Sequence, residues 1–271
     1  MNWRKIIKQQ GDFLFRVRSY FPIVFIPLFF IALRKSEYSE FAFGKTAHTI
    51  WGIFCVILSF CGLAIRCFTV GYTPRGTSGR NTRCQTAEHL NTTGMYSIVR
   101  HPLYLSNIII TTGIFLFVEV WWFIIIGLIG CLLYHKLIIF SEEAFLRNKW
   151  GRRWVEWSKK TPLLWPNFKN WRKPNLPFSF KSVLRGEHST LFSIVAAYTF
   201  IDIAADLLAE KKLEIELGWM IFFAVGLLLY LTLRILKKKT RILDVAGRAG
   251  RCNSDARQFV EPGTLDNKMR L

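Results

Sequence analysis

A short polar motif near the middle of the chain, TGMYSIVRHPLYLS at residues 93–106, carries side chains that could do chemistry. His101 stands before Pro102, and proline is favoured at the first position of a helix. The free N–H groups and positive dipole end of a helix start suit an anion such as a carboxylate. Tyr104 follows one turn later on the face of His101, and Arg100 precedes both. An ordinary helix boundary is the alternative for the His-Pro pair.

A pair of carboxylates, Glu142 and Glu143, follows the next apolar block. Carboxylates accept hydrogen bonds from hydroxyl and amino groups, so they suit the polar parts of a bound cofactor. Adjacent residues of a helix point about 100° apart, which predicts that one of the two faces the site directly. A solvated helix end would use the same residues, but the two motifs together favour a binding site.

Six apolar blocks position these motifs. They cover residues 17–33, 47–70, 102–118, 120–140, 190–209 and 213–236. Most approach the roughly 20 residues that span the hydrocarbon core of a bilayer. Hydrophobic residues make up 51% of the chain, and so many apolar helices are typical of an integral membrane protein. We therefore predict an all-α, polytopic membrane protein with about six transmembrane helices.

Basic residues occupy every second connection between the blocks. They cluster in the leader (Arg4, Lys5, Lys8, Arg16, Arg18), after the second block (Arg75, Arg80, Arg83, Arg100), after the fourth (Arg147, Lys149, Arg152, Arg153, Lys159, Lys160) and at Lys237, Lys238 and Lys239. Because Lys and Arg concentrate in cytosolic connections, both termini and both motifs are predicted to be cytosolic. Anionic lipid headgroups facing these connections explain the net charge of +19. The charges form no stripe, so nucleic-acid binding is not expected.

The chain divides into four predicted parts. Residues 1–70 form a transmembrane hairpin, 71–188 a core with a helical hairpin and cytosolic loops, 189–236 a second transmembrane hairpin, and 237–271 a cytosolic tail. The turn of the core hairpin falls near Glu119, on the outer side. The start of one helix and the end of the next therefore meet on the cytosolic face, which brings the two motifs together.

The cysteines and histidines give no sign of a metal site. Six cysteines are spread over apolar spans and predicted cytosolic segments, where reducing conditions keep thiols free. No pair of Cys or His has the spacing of zinc ligands. Neither a disulfide framework nor a bound metal is therefore expected.

The two motifs resemble the isoprenylcysteine carboxyl methyltransferase family. The shared features are Thr-Gly-x-Tyr-x-x-x-Arg-His-Pro-x-Tyr at residues 93–104 and the Glu pair after the next span. The related phospholipid N-methyltransferases carry similar patterns. The resemblance covers residues 70–166, and the outer hairpins match only as hydrophobic helices. It implies S-adenosylmethionine as methyl donor and a membrane-embedded lipophilic acceptor, methylated on a carboxylate, a phosphate or an amine.

The resemblance also implies where the donor binds. Carried over by position, the cofactor-binding residues would be His101, Pro102, Tyr104, Leu105, Glu142 and Glu143, with Arg100 close by. The family carries tyrosines after the Glu pair, whereas this chain has Trp150, Trp154 and Trp157, which puts any role of a phenol hydroxyl there in doubt. His135 lies on the helix face of Glu142 and either lines the pocket or is a satisfied core histidine.

The acceptor must attack the methyl carbon in line, so the protein has to position both partners and exclude water. An anionic acceptor needs no base, whereas an amine must first lose a proton. Arg100 and Arg153, with Glu143, are the candidate catalytic residues, because a basic pocket favours an anionic acceptor. Contact with lipid headgroups is the alternative for each arginine. Lipids with phosphate or carboxyl groups are thus favoured over a prenylated protein.

Two other functions stay open at this stage. A membrane reductase of the sterol or steroid type has a similar C-terminal architecture and would bind NADPH, although the motif at 93–106 fits the methyltransferases better. A transporter or scaffold is disfavoured because the polar motifs cluster on one face, with no broken helix at the midplane. Asp202 and Asp206 lie one turn apart. They either mark a polar path in the interior of the protein or pair with Lys211 and Lys212.

Overall fold

The computed structural model of the protein describes residues 13, 25–33, 45–74, 89–209 and 217–243. Its helices are α1 (Ile26–Leu33), α2 (Lys45–Gly71), α3 (Met95–Ile98), α4 (Pro102–Phe117), α5 (Trp121–Trp150), α6 (Arg152–Lys160), α7 (Phe180–Ala209) and α8 (Leu217–Leu243). A short 3-10 turn, Phe168–Asn170, follows α6. No strand occurs in the described ranges, so the predicted all-α class is confirmed for them.

Within these ranges, four helices are long and apolar enough to cross a membrane. They are Thr46–Gly71, Trp121–Trp150, Phe180–Leu208 and Leu217–Lys237. Helix α4 is also apolar but has only 16 residues. Residues 17–24 of the predicted first span, 17–33, and both termini lie outside the described residues. The total of six spans therefore stays a prediction, and so does the cytosolic location of both termini.

Helices α5 and α7 extend well beyond the apolar blocks that predicted them. Helix α5 continues to Trp150, and α7 begins at Phe180, about ten residues earlier than its block. Hydropathy identifies only the part of a helix that favours the hydrocarbon core of a bilayer. The backbone hydrogen bonds of the helix continue beyond it into polar turns. Helix α5 ends at Gly151, whose φ of 52° is a left-handed conformation that glycine adopts easily. The extension places Glu142 and Glu143 on the same rigid helix as the membrane span.

Helix α2 packs closely against α4 because small residues face each other. A side chain at Gly113 would collide with Ser59 and with the backbone of Cys55. Ser59 Oγ lies 3.0 Å from the Ile110 carbonyl, to which it donates, and 2.8 Å from the Tyr198 hydroxyl. Tyr198, on α7, also donates to the Cys55 carbonyl at 2.7 Å. Small residues of this kind let apolar helices approach each other. Helix α4 is thereby fixed on both α2 and α7.

A buried ion pair joins the same three helices at a second point. Arg66 on α2 lies with Nε 2.7 Å and Nη2 3.3 Å from the carboxylate of Glu187 on α7. Its Nη1 donates to Asn107 Oδ1 on α4 at 2.5 Å. Thr190 Oγ1 adds a hydrogen bond to Glu187, which is only 3% exposed. Arg66 of α2 is therefore tied to α7 by an ion pair and to α4 by a hydrogen bond.

The predicted hairpin turn near Glu119 is present in the structure. Helix α4 ends at Phe117 and α5 begins at Trp121. Glu119 has a φ of 59°, which is uncommon for a residue with a side chain. Its carboxylate lies 3.0 Å from His48 Nδ1 on α2. This polar pair marks the end of the hairpin opposite to His101.

Candidate active site

The start of α4 is built as the sequence predicts, but the His101 side chain does not cap the helix. Pro102 takes one of the first two helical positions, and Leu105 N donates to the His101 carbonyl at 3.0 Å. His101 occupies the cap position without a side-chain capping bond, and it is 6% exposed. Its ring instead approaches the polar extension of α5.

Both carboxylates of the Glu pair approach the His101 ring. Glu143 Oε1 lies 3.4 Å from His101 Nε2, and Glu142 Oε2 lies 3.9 Å from Nδ1. Both carboxylates thus approach His101, and the prediction that one of them faces the bound molecule directly stays a prediction. An imidazole presents a nitrogen on each of two edges, so two side chains about 100° apart can reach the same ring. Arg100 Nη1 also donates to Glu143 Oε1 at 2.5 Å, across 43 positions of sequence.

Two aromatic rings lie next to this cluster. The Tyr104 ring centroid lies 5.7 Å from that of His101 and 5.7 Å from that of His135. His135 Nδ1 donates to the Cys131 carbonyl at 2.8 Å, which fixes the ring and leaves its other nitrogen as the acceptor of a neutral imidazole. His135 is thus satisfied by its own helix and also contacts the site through Tyr104, so the structure supports both interpretations of it.

Two polar atoms of the cluster are buried without a hydrogen-bond partner in the described part of the chain: Arg100 Nε and Glu142 Oε2. Buried polar groups in proteins are nearly always partnered, so such atoms mark where a bound molecule can complete the set. The Arg100 atom is a donor and suits a carboxylate. The Glu142 atom is an acceptor and suits an ammonium or hydroxyl group. The cluster therefore fits a ligand that carries both kinds of group.

Tyr96, on α3, is a further residue of this region that the sequence reasoning did not select. Burial raises the pKa of its hydroxyl above the ordinary value, the Glu142 carboxylate raises it further, and Arg66 opposes them. The place of Tyr96 in the motif before His101 was the sequence signal that could have identified it.

Arg153 lies apart from the His101 cluster. Helix α6 begins after the left-handed Gly151, and Arg153 is exposed on it. It lines a cavity of about 920 Å³ together with Trp150 and Trp157. The lining of this cavity includes none of the clustered residues. Of the predicted site residues, the structure therefore gathers all but Arg153 around the start of α4.

Among the tryptophans after the Glu pair, Trp157 has a defined hydrogen bond. Trp157 Nε1 donates to the Tyr96 carbonyl at 3.1 Å, which holds α6 against α3. Trp154 is buried, with 8% of its surface exposed. The indole N–H of Trp157 thus makes a hydrogen bond. A tyrosine hydroxyl could make this bond only from a different position.

Comparison with known proteins bears on one segment of the chain. Residues 47–153 match the family model of the phospholipid methyltransferases. This segment runs from α2 to the start of α6 and contains the whole His101 cluster. No curated protein and no solved structure matches the chain. The resemblance predicted from the two motifs is therefore confirmed for residues 47–153, which match the phospholipid methyltransferase family.

Proposed function

We propose that the protein transfers a methyl group from S-adenosylmethionine to a lipophilic acceptor embedded in the membrane. The observation that carries the proposal is the cluster of the buried His101 with the half-buried Arg100, Glu142 and Glu143, inside the segment that matches the methyltransferase family model. The unpartnered Arg100 Nε and Glu142 Oε2 complement the carboxylate of this donor and its ammonium or ribose hydroxyls. When bound, the donor supplies an electrophilic methyl carbon.

Each residue of the cluster then has a role in holding the donor. Arg100 and Glu142 bind its polar groups through their unpartnered atoms. His101 lies between the two carboxylates and keeps them apart at a fixed distance. Tyr104 and His135 lie next to the cluster and exclude water from the reacting groups. Positioning of this kind is the main contribution a protein makes to such a transfer.

The cofactor assignment is tested by replacing the carboxylates one at a time. Glu142→Gln should weaken the binding of S-adenosylhomocysteine by about 1.5–3 kcal/mol, the scale of a hydrogen bond to a charged group. Glu143→Gln should weaken it less, because Glu143 Oε1 is already engaged by Arg100 and His101. Isothermal titration calorimetry on the purified protein measures both effects.

The matched control is Glu156→Gln, since Glu156 is exposed on α6 and paired with Arg152. It should bind S-adenosylhomocysteine as the wild type does. Unchanged binding in both Glu142→Gln and Glu143→Gln would remove the carboxylates from the cofactor site. Binding of NADPH in place of S-adenosylhomocysteine would support the reductase alternative.

We propose further that the site faces the cytosol. Helix α6 and the segment after it are rich in exposed Lys and Arg, and they pack on the motif through the bond from Arg100 N to the Pro162 carbonyl, at 2.8 Å. Basic segments of membrane proteins are retained in the cytosol. The site and the basic segment must therefore share one side.

Cysteine labelling tests this orientation in a background without native cysteines. Lys159→Cys, near the site, should react with a membrane-impermeant maleimide only in permeabilised cells. Trp121→Cys, at the opposite hairpin turn and 73% exposed, should react in intact cells. The reverse pattern would contradict the cytosolic orientation.

A further inference from the structure

Residues 162–181, which lead from α6 into α7, expose large apolar side chains although they belong to none of the apolar blocks. They are called the aromatic segment below. Trp165 keeps 86% of its surface exposed and Phe168 keeps 74%. The other exposed apolar side chains of the segment are Trp171, Leu176 and Phe180. Apolar surface collected in this way marks a contact with another molecule or with a membrane.

The aromatic segment is also basic. Its sequence holds four cations, Lys169, Arg172, Lys173 and Lys181, and no acidic residue. The first three of these cations are exposed, on the same stretch of chain as the exposed rings. Rings interleaved with cations are typical of a segment at the boundary between hydrocarbon and headgroups. There the rings lie toward the acyl chains and the cations lie near the lipid phosphates.

Contacts with α2 place the aromatic segment at the end of a helix that is long and apolar enough to cross a bilayer. The Trp171 ring centroid lies 6.1 Å from that of Phe68 on α2. A side chain at Gly71 would collide with the Phe178 ring, and Ser179 N donates to the Gly71 carbonyl at 2.8 Å. Gly71 is the last residue of the apolar span of α2. The segment therefore lies where this span ends and lipid headgroups begin.

Hydrogen bonds to the first motif hold the aromatic segment in this place. Asn167 N donates to the Ile98 carbonyl and Gly94 N donates to the Arg172 carbonyl, each at 2.9 Å. Arg172 N donates in turn to Ser97 Oγ at 3.0 Å. The exposed rings and cations are thus presented from a main chain that is fixed on the motif.

We propose that the aromatic segment is a docking surface for the anionic headgroups of the bilayer around the protein. Four cations without a carboxylate require a partner rich in negative charge, and the neighbouring span brings lipid within reach. A second copy of this chain would bring the same positive charges, which repel each other. The lipids bind here as bilayer headgroups and not as methyl acceptors, so the inference is independent of methyl transfer.

Fluorescence quenching in phosphatidylcholine nanodiscs tests the docking surface, with the full chain in a background without native cysteines. Phe168→Cys carries a solvent-sensitive dye, and a trace lipid carries a nitroxide on its acyl chain next to the headgroup. This lipid is either phosphatidylglycerol or phosphatidylcholine. Both should quench the dye, whereas iodide in the water should not. At equal amounts, phosphatidylglycerol should quench about fivefold more strongly, the factor expected for one cation near anionic lipid.

Trp121→Cys is the matched control label, because Trp121 is 73% exposed and lies at the opposite hairpin turn, two residues after Glu119. Its dye should be quenched equally by the two lipids. Adding Lys169→Gln and Lys173→Gln to the Phe168 variant should remove the preference for phosphatidylglycerol, while quenching by phosphatidylcholine remains.

Three results would overturn the docking surface. Quenching by iodide without quenching by lipid would place the aromatic segment in water. Equal quenching of the Phe168 dye by the two lipids would remove the anionic partner. Energy transfer between two labelled copies, with lipid quenching lost, would make a second copy of the chain the partner. Each result leaves the proposed methyltransferase function untouched, because no readout uses S-adenosylmethionine.

Discussion

Glu187→Ala should lower the free energy of unfolding by about 3–5 kcal/mol, the range measured when one partner of a buried ion pair is removed. Glu187 is 3% exposed and holds Arg66 with two contacts, at 2.7 and 3.3 Å. Without Glu187, the Arg66 guanidinium would remain between α2, α4 and α7. Its remaining hydrogen-bond partner among the described residues would be Asn107. Thermal unfolding in detergent, followed by the loss of helicity, measures the effect.

Two further variants distinguish the contribution of the ion pair to the free energy of unfolding from that of ordinary packing. Thr190→Val removes one hydrogen bond to Glu187 and should cost only about 1 kcal/mol. The double variant Arg66→Met with Glu187→Met should recover most of the lost stability, since apolar side chains of similar size often replace a buried pair without loss. Wild-type stability in Glu187→Ala would show that the pair does not join the helices.

His101→Ala should reduce methyl transfer at least tenfold, which corresponds to about 1.4 kcal/mol in the activation free energy. The ring lies within 4 Å of both carboxylates and contacts Tyr104, so its loss frees Glu142 and Glu143 to move. Stability should stay near normal, because α4 keeps Pro102 and its packing on α2. Incorporation of a radiolabelled methyl group into extracted lipid measures the activity.

His101→Asn distinguishes a role in the site from simple capping. Asparagine is a good capping residue, so it would restore activity if His101 only began the helix. The structure shows no capping bond from His101, and the Asn variant should therefore remain impaired. Full activity in the Asn variant would reduce His101 to a cap, and full activity in the Ala variant would remove it from the site.

Much of the site could be predicted because α4 and α5 form a helical hairpin. The hairpin brings the end of α5 back to the side on which α4 begins. The His-Pro pair predicted where α4 begins, and Glu119 predicted where the chain turns back. From these two points, the meeting of His101 with Glu143 follows from topology alone. No knowledge of side-chain packing was needed for that step.

The rest depends on how the helices are rotated about their axes, which hydropathy and motif spacing do not specify. Arg66, Asn107 and Glu187 come from three different helices, and nothing in their local sequence pairs them. The position of Arg153 depends on a different feature. The chain changes direction at Gly151, whose φ of 52° starts a new helix away from the His101 cluster.

The shortness of α4 has a consequence for how lipid and donor meet. Sixteen residues make a helix of about 24 Å, whereas the hydrocarbon core of a bilayer is about 30 Å thick. The polar pair of Glu119 with His48 marks the end of α4 that favours a polar environment. If α4 crosses the bilayer as the hairpin prediction has it, the end with His101 lies several ångströms below the opposite headgroups. In the proposed reaction, an acceptor lipid would then react with its acyl chains still in the bilayer, and the water-soluble donor would have to enter to that depth.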